Sequence, residues 1–129
     1  MSYYYSKIID DSFENVLRKT EVALKQEGFG ILTEIDVKET LKKKLDVDFK
    51  KYKILGACNP PYAYKALQAE DKIGTMLPCN VIVIEQSANQ IEVAAVNPIS
   101  SMQAVHNEDL LKIAEEIKDK LIGVIDSLP

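Results

Sequence analysis

Cys79-Asn80-Val81-Ile82-Val83-Ile84-Glu85 is an apolar run with no polar residue between Val81 and Ile84. A half-solvated strand alternates apolar and polar positions; a strand without alternation is buried on both faces. Downstream, Ser87 to Gln90 makes a turn and Ile91 to Asn97 pairs back as a hairpin strand. Upstream, Tyr52 to Cys58 reads as another strand. Asn59 then caps a helix with Pro60 and Pro61 in its first turn, where missing N–H groups cost nothing, and that helix ends near Glu70.

The flanks add helices and outer strands. Tyr3 to Ile9 reads as a first strand, and Asp11 with Glu14 makes a capping box. Phe13, Val16, Leu17, Thr20 and Leu24 recur at helical spacing, and Gly28 ends that helix in a left-handed cap. Ile31 to Asp36 is a second strand. Val37, Leu41 and Leu45 line one side of a short lysine-rich helix. Asn107, Glu108 and Asp109 open the last helix, with acids where the helix dipole favours them. Leu110, Ala114, Ile117, Leu121, Val124 and Leu128 give it a continuous apolar stripe.

The expected fold is therefore α+β, one domain over residues 1–129, in the order β-α-β-α-β-α-β-β-α. It has one mixed, mostly antiparallel sheet of about five strands, with helices packed mainly on one face. A strand buried on both faces then needs something over the other face. A second copy of the chain is the expected cover, since symmetric dimers are the commonest oligomers.

Composition narrows the class. The 129 residues are 47% hydrophobic and 28% charged, as in ordinary water-soluble domains. No apolar run approaches the ~20 residues of a membrane span. Met1 to Lys7 holds three tyrosines and no long apolar core, so it does not read as an export signal. The expectation is a cytoplasmic protein whose two cysteines are thiols rather than a disulfide. The net charge of −4 argues against nucleic acid as the main partner. Lys38 to Lys53 is locally basic, with seven lysines against three acidic residues, and reads as a solvated face. It lacks the interleaved aromatics on which bases stack.

Cys58 and Cys79 are the candidate thiols. Cys58 precedes Asn59-Pro60 at a helix start, where free N–H groups lower a thiol's pKa. The competing reading is a small apolar residue ending a strand. If the strands before and after the intervening helix are antiparallel neighbours, the two cysteines lie side by side; a parallel crossover would leave them roughly 20 Å apart. No metal site is assigned and no cofactor is expected. Met76, Met102 and His106 add soft or borderline ligands, yet no close ligand pair exists in the chain. Tyr62 can roof a pocket with its hydroxyl as a polar handle.

Two segments put a cysteine directly before an asparagine: Leu55-Gly56-Ala57-Cys58-Asn59-Pro60 and Gly74-Thr75-Met76-Leu77-Pro78-Cys79-Asn80. With Ala63 and Leu67 between them, these residues resemble domain-of-unknown-function family 302, a group of small bacterial and archaeal proteins. The likeness runs from about Ile35 to Asn97, and Met76 stands where leucine is as common. It implies an α+β homodimer and supplies no catalytic assignment.

Three functions compete. The favoured one is a small-molecule or apolar-ligand binding module with its site at Cys58, Asn59, Pro60, Tyr62, Met76, Pro78 and Cys79. The alternatives are a thiol-based redox or sulfur-handling protein using Cys58 with Cys79, and a structural or protein-interaction module. Proton-transfer catalysis recruits histidine or paired carboxylates, and here His106 stands alone.

Overall fold

The computed structural model describes residues 2–129. Strands β1 (Tyr4–Ile9), β2 (Gly30–Asp36), β3 (Tyr52–Cys58), β4 (Cys79–Ser87) and β5 (Gln90–Val96) form one sheet in the order β1-β5-β4-β3-β2. Helices α1 (Phe13–Gln26), α2 (Val37–Leu45), α3 (Pro60–Ala69), α4 (Pro98–Ser101) and α5 (Glu108–Ser127) connect and cover it. All four pairings are antiparallel, so the parallel pair that a mixed sheet would hold is not among them. The order expected from the sequence is otherwise met. A 3-10 helix over Asp71–Met76 and the short α4 are additions that hydrophobic periodicity is too coarse to register.

β4 sits at the centre, and its apolar run is buried as expected: Val81 and Val83 are sealed, Ile84 is 8% exposed and Ile82 is half-buried. Val81, Val83, Val93 and Leu55 meet Phe13, Val16, Leu24, Leu121 and Ile125 in the main core. The α5 stripe is buried along its length, from Leu110 to Leu128. Ala66, Ile73, Met102, Leu110 and Ala114 form a second cluster.

Two local expectations shift. Ser12, not Asp11, caps α1: its hydroxyl accepts from Asn15 N at 3.2 Å. Asp11 instead accepts from Ser12 N, Asn15 Nδ2 and Lys19 Nζ. Lys19 foremost, then Asn15, holds its carboxyl down at about 2. On α2 no residue is buried, and Leu45 is exposed. Val37 and Leu41 are only half-buried where the helix meets β2 and β3.

The face of the sheet away from α1 and α5 carries Ile8, Ile35, Ile54, Ile82 and Ala94, as register and alternation require. Ile8 and Ile35 are exposed.

Candidate functional site

Three chain segments converge at one end of the helix-covered face. The first is the exit of α1. Gly28 has φ +87°, a conformation that favours glycine. Its N–H donates to Lys25 O at 3.1 Å, and Phe29 N–H reaches back to Leu24 O at 2.9 Å. This is a Schellman ending, with Leu24 and Phe29 packed in the same core. It leaves the Glu27 carbonyl, and Asn59 Nδ2 donates to it at 3.2 Å.

The second segment is the β3–α3 junction. Asn59 is the capping residue of α3 by position, and its carbonyl accepts from Ala63 N at 2.9 Å. Its side chain makes no cap bond. The expectation of an ordinary side-chain cap is corrected here: the amide is engaged by a carbonyl distant in sequence. The amide lies against Gly28, where an added Cβ would stand 3.3 Å from Nδ2. Gly28 therefore serves both the turn and the seat of Asn59.

The third is the loop into β4. Pro78 packs over Gly56, where an added Cβ would lie 2.8 Å from Pro78 Cγ and 2.1 Å from Thr33 Oγ1. A side chain at position 56 would displace this loop. Leu77-Pro78 is a cis peptide.

Between these segments lies a cavity of about 340 Å3. Its wall comes from the sheet (Ala57, Cys58, Cys79), from α3 (Ala63, Ala66, Leu67), from α5 (Ile113, Ile117), and from Phe29, Leu77 and Met102. No charged residue lines it, and Asn59 is the single amide. The space exists because Ala57, Ala63, Ala66 and Gly74 stand where larger side chains would meet. Leu32 and Leu67 line it while 66% and 45% exposed, which marks its mouth. Leu32 is the extra residue of a β-bulge: Ile31 pairs with Ala57 and Thr33 with Gly56. Bulges re-aim side chains in this way.

The antiparallel alternative for the cysteines holds. Cys79 pairs with Ala57, one residue from Cys58. Both are free thiols lining the cavity. Burial pushes the Cys79 thiol up to about 11, with a smaller push from Cys58.

Of the residues expected at the site, Cys58, Asn59, Pro78 and Cys79 meet here. Pro60 is exposed at the start of α3. Tyr62 packs on the edge of the main core, with Lys65 and Lys120 ammonium groups 5.7 and 5.9 Å from its ring, off the cavity wall. Met76 packs on the second cluster, beside a smaller depression that it shares with Pro78 and Cys79. Sequence reasoning missed Phe29, Leu32, Met102, Ile113 and Ile117. Ala57, Ala63, Leu67, Gly74 and Leu77 were in view only as carriers of the family resemblance, and most of those carriers line this one cavity.

No group of three or more His, Cys, Asp or Glu side chains among the described residues is arranged to hold a metal ion. Ion pairs, some within the basic segment and some to acids outside it, engage part of its lysines. Lys42 meets Asp46 and Asp48, Lys43 meets Glu39, Lys51 meets Glu14 and Lys53 meets Glu34. Among the described residues, no helix is long and apolar enough to cross a membrane.

Comparison with known proteins agrees with the resemblance. The family described as "Domain of unknown function DUF302" matches residues 5–128. Among solved structures, the crystal structure of an uncharacterized conserved protein DUF302 from Bacillus stearothermophilus is similar, at 28% sequence identity. The alignment covers 100% of both chains with a TM-score of 0.92. A search of curated proteins gives no match.

Proposed function

The chain belongs to the DUF302 family, and from that premise we propose that it is a binding module for a small, apolar molecule held in the cavity between β3, α3 and α5. One observation carries the reading: a cavity of about 340 Å3 with no charged lining residue opens between the two cysteine-asparagine segments. Ligand sites fall in this size range, are mostly apolar, and use a few polar groups for orientation. The test is titration of the reduced protein with Nile red, a neutral apolar fluorophore. Saturable enhancement at one site per chain is expected. Ala63→Phe, which fills the wall, should abolish it while the thermal melt stays cooperative. No enhancement, or enhancement unchanged in a folded Ala63→Phe protein, removes the reading.

The thiol-based alternative gains from the placement of both cysteines on one cavity. It loses from Cys79, whose raised pKa leaves little thiolate at neutral pH. Two unbridged cysteines persist best in a reducing compartment, so the proposal includes a cytoplasmic setting. Interaction through the lysine segment loses some support because Glu14 and Glu34, outside it, pair with Lys51 and Lys53 and reduce its cationic surplus.

A homodimer through the open sheet face is part of the same proposal. Ile35, Ile54, Ile82 and Ala94 form a continuous apolar row across four strands there. Sedimentation velocity should give twice the chain mass, and Ile82→Lys should give the monomer. A wild-type monomer at micromolar concentration removes this part alone.

A further inference from the structure

Asn59 is nine-tenths buried, at 8% exposure, in an otherwise apolar wall. One N–H of its Nδ2 donates to the Glu27 carbonyl, which fixes the orientation of the amide: nitrogen toward that carbonyl, oxygen away. The turn at Gly28 lies nearer the nitrogen, since an added Cβ there would stand 3.3 Å from Nδ2 and 3.9 Å from Oδ1. No group among the described residues donates to Oδ1. Yet no sealed side-chain polar atom lacks a partner, so Oδ1 retains accessible surface. Asn59 thus makes no side-chain cap bond to its own helix and keeps an acceptor with no donor among the described residues, in the wall of an apolar cavity. Once a ligand fills the cavity and covers Oδ1, leaving that acceptor without a partner is costly, so a ligand that supplies the partner is selected over one that does not.

We propose that Asn59 Oδ1 is the polar contact of this cavity, and that its ligand is an uncharged apolar molecule carrying one hydrogen-bond donor, a hydroxyl or an amide N–H. This rests on the binding-module reading and adds the ligand's class and the residue that determines it. Carboxylates are excluded on two grounds. A charge would enter a wall with no cation to meet it, and an acceptor-only group would face another acceptor. Cys58 and Cys79 flank the site as soft, polarisable wall.

The experiment is displacement of bound Nile red by three matched competitors: 4-hexylphenol, its methyl ether, and 4-hexylbenzoate. The phenol should displace at about fivefold lower concentration than the ether, the worth of one neutral hydrogen bond. The benzoate should be weakest. In Asn59→Leu the phenol's advantage over the ether should vanish. Absence of Nile red binding overturns the cavity as a ligand site. Binding with the ether equal to the phenol, or with the advantage retained in Asn59→Leu, overturns the role of Asn59 and leaves the cavity standing. Should Asn59→Leu not fold, the side-chain carbonyl carbon shift of Asn59 in the wild-type protein decides instead. It should move with the phenol and not with the ether, and an equal response to both overturns the proposal.

Discussion

Beneath α1 the sheet presents Val81, Val83 and Val93 to Phe13, Val16 and Leu24, and none of these is more than 6% exposed. Beneath α3 the same sheet presents Ala57 and Cys79 to Ala63, Ala66 and Leu67. One end is solid and the other hollow, although strands and helices continue through both. Layer separation is set by the large side chains at the solid end, and alanines cannot span it. Interiors normally fill to crystal-like density, and a void forfeits dispersion contacts on every wall. A hollow kept open this way contributes less to stability and is free to hold something else.

The contrast can be broken by substitution. Leu24→Ala at the solid end should cost about 2–5 kcal/mol in urea unfolding, as for other fully buried leucines. A loss under about 1 kcal/mol would mean that this end relaxes and the contrast is false. The next largest effect is alkaline. The unfolded Cys79 thiol ionises from its ordinary 9.0, whereas the folded one waits until about 11. The unfolded chain therefore binds fewer protons in that window, and stability falls as pH rises through it, by up to about 3 kcal/mol. Below about pH 9 this group should add no slope. Chemical denaturation at stepped pH checks this, with Cys79→Ala removing this group's share of the slope.

Gly28→Ala should cost about 1–2 kcal/mol, from the positive φ and the approach to Asn59. It should also weaken Nile red binding, because the Asn59 seat moves. A loss of stability with binding intact would separate the turn from the site. The smallest effect sharpens the contrast most. Leu67→Ala at the mouth should change stability by less than about 0.5 kcal/mol. It should still weaken the probe, read by the same titration.

Much of this was legible. Pro60-Pro61 announced α3, and the unbroken apolar run of β4 announced a central strand. Both signals are local: one is the fixed φ and missing N–H of proline, the other the apolar side chains of consecutive residues. The site was half legible. Cys58, Asn59, Pro78 and Cys79 stood out through unusual local sequence, whereas Phe29, Leu32 and Met102 come from elsewhere in the chain. An alanine looks the same in sequence whether it touches a neighbour or borders a void, so the hollow itself left no sign. Asn59 shows the limit most sharply. Its position predicts a helix cap, but its amide N–H goes to the carbonyl of Glu27, 32 residues earlier, and its oxygen makes no cap bond. The bulge at Leu32 was hidden for a related reason: pairing register belongs to two strands at once.

The edge strand β1 pairs only with β5, Tyr4 against Val96, and is tied to the far end of α5 through Tyr5 to Asp126 and Lys7 to Leu128. On a ribosome it emerges before the other strands and must wait for its partner until most of the chain has followed. Closing so long a loop is entropically costly and late. Through that interval Tyr3, Tyr4 and Tyr5 remain an unpaired aromatic segment.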